Sequence, residues 1–225
     1  MAIIQPWQLF KASWMNHPAL EIIRLEGTQR VAIVSLFAAL AITTDYAMLP
    51  LANIKLMDTI VFVSGLVFGM GVGVAVGGLT WLVYGTVNPL GSDSGLLLVI
   101  LIVSEMVYAV LGSLARRSFS AESVGVPAKS LYWGCLGLIG AFIYDLVTII
   151  VPTMIAGASF EVAASSLVLA VPFMLAHEIS DLVFFATAGP LLVSAILKIV
   201  KQRMPQGSTP GLPAGHNNRV DESNR

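Results

Sequence analysis

The sequence predicts an all-α integral membrane protein of about six transmembrane helices, with both termini cytoplasmic. Three observations predict it. Of 225 residues, 56% are hydrophobic and only 11% are charged, against about a quarter charged in a soluble domain. The charges crowd the two ends and one central stretch. Between them lie apolar runs of about 20 residues, the length that crosses a hydrocarbon core of roughly 30 Å.

Residues 1–29 predict an N-terminal interfacial segment. Ile3, Ile4, Trp7, Phe10 and Trp14 fall at helical spacing, and tryptophan favours the lipid–water boundary. No secretory signal is expected there: the first basic residue is Lys11, and no apolar run of about 7–15 residues with a small-residue cleavage site follows it. The membrane domain covers 30–201. Its first span runs from Val31 to Leu49 and stops at Pro50, before the polar loop Asn53-Ile54-Lys55-Leu56-Met57-Asp58. Residues 59–87 form either one long tilted helix or two spans with a tight turn near Phe68-Gly69-Met70-Gly71. Further spans are expected at 95–114, 131–151 and 172–197. Pro172 should start or kink the last one, because a straight helix over 165–197 would measure about 50 Å. The stretch 202–225 is rich in Pro, Gly and Asn, the composition of a disordered tail.

Charge chooses between one span and two in 59–87, since cytoplasmic loops carry the excess of Lys and Arg. With two spans, Arg24, Arg30, Arg116, Arg117, Lys129, Lys198, Lys201 and Arg203 share one side and only Lys55 lies on the other. With one span, Arg116, Arg117 and Lys129 would face the opposite side. Six spans is the better reading. Gly65, Gly69, Gly73 and Gly77 recur every four residues, a small-residue face that lets two helices approach closely.

Ionisable groups inside a bilayer cost several kcal/mol and are functional suspects. Here they are Asp45, Glu105, Asp145, His177, Glu178 and Asp181, with Tyr84 and Asn88 as polar neighbours. At 1.5 Å per residue, Asp45 lies about 8 Å inside Pro50, Asp145 about 10 Å inside Pro152, and Glu105 about 15 Å below Gly95. His177 and Asp181 lie about 8 and 14 Å below Pro172. Every one of these reference points is extracellular in the six-span topology, so the polar groups gather in the outer half. A channel or proton relay would spread them through the whole thickness. A pocket open to the outside and closed below would gather them in this way; mutual pairing that holds helices together is the alternative. His177 and Asp181, at i and i+4, share a face with Ser180 beside them. Trp81, Tyr84 and Asn88 share another, and Glu105 and Tyr108 are an i, i+3 pair. The acidic excess opposite an aromatic face suits a ligand with a positive charge or several hydrogen-bond donors.

His177-Glu178-Ile179-Ser180-Asp181 resembles an H-E-x-x-H zinc helix with Asp as second ligand, and Asn88-Pro89-Leu90-Gly91 partly matches the companion motif of intramembrane metalloproteases. A metalloenzyme, or a transition-metal uptake subunit using His177 and Asp181, is therefore the alternative function. There is no G-x-x-x-x-G-K-[ST], so active transport would need partners that hydrolyse nucleotide. The formal net charge of −1 offers no basic field for nucleic acid. The single Cys135 allows no intrachain disulfide.

The segment Leu49-Pro50-Leu51-Ala52-Asn53-Ile54-Lys55-Leu56-Met57-Asp58, continuing to Phe62, Phe68-Gly69 and Gly73, resembles an S component of an energy-coupling-factor (ECF) transporter. The likeness covers about residues 30–90 by motif and extends to about 200 by layout. It implies a multi-pass protein of the cell membrane, not an enzyme, that binds a vitamin or cofactor precursor from outside. Its partners would be a transmembrane T component and two cytosolic ATPase subunits. The resemblance also implies that Asn53 and Lys55 lie over the ligand. The T component would dock on small residues of the first helix, here Ser35 and Ala39 in place of the usual Ala-x-x-x-Ala. The expected substrate-binding set is Asn53, Lys55, Trp81, Tyr84, Asn88, Glu105, Asp145, His177 and Asp181, with no catalytic residue, no cofactor and no resident metal.

Overall fold

The computed structural model describes residues 23–93, 95–118 and 126–203. They form α1 (Gly27–Ala47), α2 (Met57–Phe68), α3 (Met70–Thr86), α4 (Gly95–Ala115), α5 (Pro127–Ile155) and α6 (Phe160–Arg203), with one 3-10 turn at Arg116–Ser118. No strand occurs among the described residues. Four of these helices, α1, α4, α5 and α6, are long and apolar enough to cross a membrane. Large apolar side chains stand exposed along each of the four, among them Leu36, Val103, Phe142 and Val183. Contiguous apolar surface on this scale is what lipid covers.

The chain reverses where the glycine run predicted, at Gly69. Its φ of +94° lies in the region that only glycine enters freely. The reversal lays α2 against α3. Two helices therefore occupy 57–86, but α2 departs from the expected span. Its 12 residues rise only about 18 Å, short of the roughly 30 Å hydrocarbon core. All of them are buried, because α1, α3, α4 and α6 enclose the helix.

Glycine faces set these close approaches. A Cβ at Gly65 would strike the backbone carbonyl of Ala109, one at Gly112 the backbone of Phe62, and one at Gly73 would come within 2.8 Å of the backbone nitrogen of Gly65. The four-residue glycine period thus seats α2 and α3 on α4. α5 and α6 run antiparallel by the same device. Gly134 lies against Leu182, Gly137 against Asp181 and Phe185, and two turns further along α5 Asp145 meets His177.

Two sequence expectations change at the ends of the helices. α6 starts at Phe160, not Pro172, and its helix continues through both Pro172 and Pro190 to Arg203. The Ser159 hydroxyl accepts the Val162 N–H at 3.4 Å, a helix start twelve residues before the proline. Gln202 and Arg203 close α6 and do not belong to the tail. At the other terminus, residues 27–29 open α1, where Glu26 and Gln29 form a reciprocal cap. The interfacial helix predicted for the first residues, through 22, and the tail from 204 lie outside the described residues.

Candidate functional site

The interior of the bundle holds a polar cluster centred on His177. α6 presents His177 and Asp181 on one face, α5 presents Asp145, and the first turn of α2 presents Asp58. The Nδ1 of His177 lies 3.0 Å from Asp145 Oδ1, and its Nε2 lies 2.9 Å from Asp58 Oδ2. Asp181 Oδ2 is 3.9 Å from the same Nε2, and the Tyr108 hydroxyl is 3.5 Å from it. Asp58, Asp145, His177 and Asp181 are all buried. A carboxylate in the first turn of a helix is favoured by the exposed N–H groups there, which accounts for Asp58 at an otherwise apolar helix start.

Beside this cluster stands an aromatic wall. Trp81 donates its indole N–H to Glu105 Oε2 at 3.0 Å, and the Glu105 stem fits only because Gly77 lacks a Cβ, which would lie 2.9 Å from it. Trp81 stacks on Tyr144 with centroids 6.3 Å apart, and Tyr144 meets His177 edge-on at 5.6 Å. The ammonium of Lys55 sits 4.5 Å over the Trp81 ring and 6.0 Å from the Tyr84 ring. A cation held over aromatic faces is an attractive arrangement. Nearby, in the loop between α3 and α4, burial pushes the Asp93 carboxyl above its ordinary range, and Lys55 opposes that shift.

A cavity of about 440 Å³ opens above the cluster. Ala52, Asn53 and Lys55 line one side, Leu101 of α4 another, and residues of α5 and α6, among them Tyr144, Asp145, Thr148, Ile149 and Phe173, the rest. The Asn53 amide donates to the Phe173 carbonyl at 3.0 Å, tying the loop to α6. Asn53 has φ +58°, which asparagine tolerates better than most side chains.

Asn53, Lys55 and Asp145 thus line one cavity, while Trp81, Tyr84, Glu105, His177 and Asp181 stand buried behind it. Asn88 stands beyond the helix that carries Trp81 and Tyr84, but its side chain hydrogen-bonds Tyr84 as their shared face would have it. α3 ends at Thr86, and the Asn88 side-chain oxygen Oδ1 accepts the Leu90 N–H at 2.9 Å in the following turn. Ser35 and Ala39 are exposed on α1. The sequence did not single out Asp58 or Tyr144 as site residues. Asp58 closes a polar run and so counted as loop, although the unbroken apolar stretch after it marks a helix start.

Buried carboxylate oxygens outnumber the donors around them: Oε1 of Glu105 and Oδ2 of Asp145 have no hydrogen-bond partner within the protein, and Asp181 has the Tyr108 hydroxyl for its two oxygens. The arrangement presents surplus acceptors under a cavity, the inverse of a site for an anion. Comparison with protein families, with characterised proteins and with solved structures finds no match for this chain.

Proposed function

We propose that the chain is the substrate-capturing subunit of an ECF-type uptake transporter in the cell membrane, binding a vitamin or cofactor precursor from outside. The observation that carries this reading is the cavity of about 440 Å³ bounded by the 52–55 loop and floored by Tyr144 and Asp145. Its size falls in the range of small-molecule sites, roughly 300–1,000 Å³. The surplus of buried acceptors selects a ligand that brings donors or a positive charge. The aromatic wall and Lys55 lie next to it, where a planar ring would stack.

In this reading the chain crosses the membrane six times with both termini cytoplasmic, so that Lys55 faces outward and the other basic groups inward. The short α2 completes a crossing only together with the segment 51–56 before it. Irregular backbone is tolerated at membrane depth where protein buries it or where it lines a cavity. The exposed Ser35 and Ala39 on α1 offer a face on which a T component could pack closely.

Native mass spectrometry of the purified chain tests the proposal directly, with a bound organic nutrient as the expected result. Uptake should further require partner subunits. If the lone protein in sealed vesicles concentrates ligand under a proton or sodium gradient, it is a secondary transporter and the proposal fails.

A further inference from the structure

We infer that Asp58, His177 and Asp181 bind one divalent transition-metal ion, with Asp145 orienting the histidine from behind. The inference goes beyond nutrient capture and does not depend on it.

The geometry supplies a ligand set. One oxygen of each aspartate and one ring nitrogen of His177 lie within 4.8 Å of one another. Atoms bonded to a metal at about 2.0–2.2 Å stand roughly 3–4 Å apart around it. The Nε2 separations of 2.9 Å to Asp58 and 3.9 Å to Asp181 sit at that spacing. The three residues come from two helices far apart in the chain, so they form a convergent site and not a local acidic run.

A second, independent observation points the same way. Asp181 is fully buried, and with the Tyr108 hydroxyl as its one neighbouring donor at least one of its two oxygens is left without a hydrogen bond. Burying an ionised carboxylate without a counter-charge is costly, and proteins resolve the cost by pairing or by metal coordination. Its near neighbours here are the neutral Tyr108 hydroxyl, the Nε2 of His177 and, through it, Asp58. A divalent ion among the three atoms neutralises both carboxylates.

The orientation of His177 fits a ligand role. A neutral imidazole carries one N–H and one lone pair. With Nδ1 donating to Asp145 at 3.0 Å, the lone pair is left on Nε2, which faces Asp58 Oδ2 at 2.9 Å with Asp181 Oδ2 at 3.9 Å. A carboxylate behind a metal-bound histidine is the common supporting arrangement. The donors are nitrogen and oxygen with no sulfur, which suits zinc, manganese or ferrous iron and disfavours copper(I). Asp145 also lines the cavity, so an ion entering there reaches the back of the cluster.

Metal analysis of the full chain, purified in detergent after growth in zinc- and manganese-supplemented medium, tests the inference. Chelator-stripped protein is then titrated with Zn²⁺ and Mn²⁺ by calorimetry. The expected result is one ion per chain, absent from folded Asp58→Asn, His177→Gln and Asp181→Asn. Asp145→Asn should bind about 10–100-fold more weakly, and Glu178→Gln, beside the cluster but outside it, should bind as the parent does. Substoichiometric metal together with no binding in the titration overturns the site. So does an ion retained by all three ligand variants, which would be adventitious. Should those variants not fold, Co²⁺ loading of the parent decides. Ligand-field absorption that Zn²⁺ abolishes supports a nitrogen–oxygen site, and its absence refutes one. Loss of the metal result leaves nutrient capture standing, because mass spectrometry reads the organic ligand separately.

Discussion

Alanine at Gly65 probes the contact that seats α2. A Cβ there would overlap the backbone carbonyl of Ala109 on α4. Backbone cannot swing aside as a side chain can, so α2 must move outward. Overpacking of this kind costs about 1–3 kcal/mol, set against a gain of about 1 kcal/mol when alanine replaces a helical glycine. Gly78 on α3 supplies the internal control. A Cβ there meets only Ile102 Cγ2 at 3.9 Å, an ordinary contact, so Gly78→Ala keeps the helical gain without the clash. The two variants should therefore differ by about 1–3 kcal/mol, with Gly65→Ala the less stable. Denaturant unfolding of both in one detergent, followed by helical circular dichroism, measures the difference. Because Asp58 rides on α2, the same displacement should also disturb its approach to His177. Equal stability in the two variants would refute the packing argument, since propensity alone treats the two glycines alike.

The other predictions concern orientation, ligand and docking. In a Cys135→Ser background, an impermeant thiol reagent applied to intact cells should label Ser92→Cys and Ala156→Cys but not Arg117→Cys; labelling at 117 would end the six-crossing topology. Asp145→Asn and Asp181→Asn should each weaken binding of the captured nutrient by about 1–3 kcal/mol, the worth of a hydrogen bond to a charged group, and unchanged affinity in both folded proteins would remove them from the site. Joint replacement of Ser35 and Ala39 by leucine should leave nutrient binding intact in detergent while abolishing uptake in cells that hold the partner subunits. Uptake that persists would place the docking face elsewhere.

Much of the helical layout was legible in the sequence because apolar run length and glycine spacing report local constraints. The reversal at Gly69 follows from a glycine period that leaves one place for the chain to turn. The pairing of His177 with Asp181 was legible for the same reason: four residues on one helix fix a shared face. Asp58 was not legible. Its role depends on α2 lying inside the bundle beside α6, a contact across 119 positions of sequence, and no local pattern encodes that distance. The start of the last helix was not legible either, since α6 begins at Phe160 and not at Pro172. A proline disfavours helix but does not forbid it, and capped, apolar sequence on both sides carried α6 through. Asn88 lies just past the end of α3 at Thr86, yet its side chain still reaches Tyr84, the neighbour that helical spacing gave it.

The complete enclosure of α2 bears on how the sequence can vary over evolutionary time. A lipid-facing helix accepts almost any apolar side chain on its outer stripe, as α6 can along Val168, Leu169 and Leu191, all highly exposed. α2 has no such stripe. Each of its positions from Met57 to Phe68 touches protein, so neutral drift has no face on which to act, and a change at any one of them requires a compensating change in a neighbouring helix. The shortest α-helix among the described residues should therefore be the slowest to change, and in distant descendants Met57–Phe68 would be the stretch by which their kinship could still be recognised.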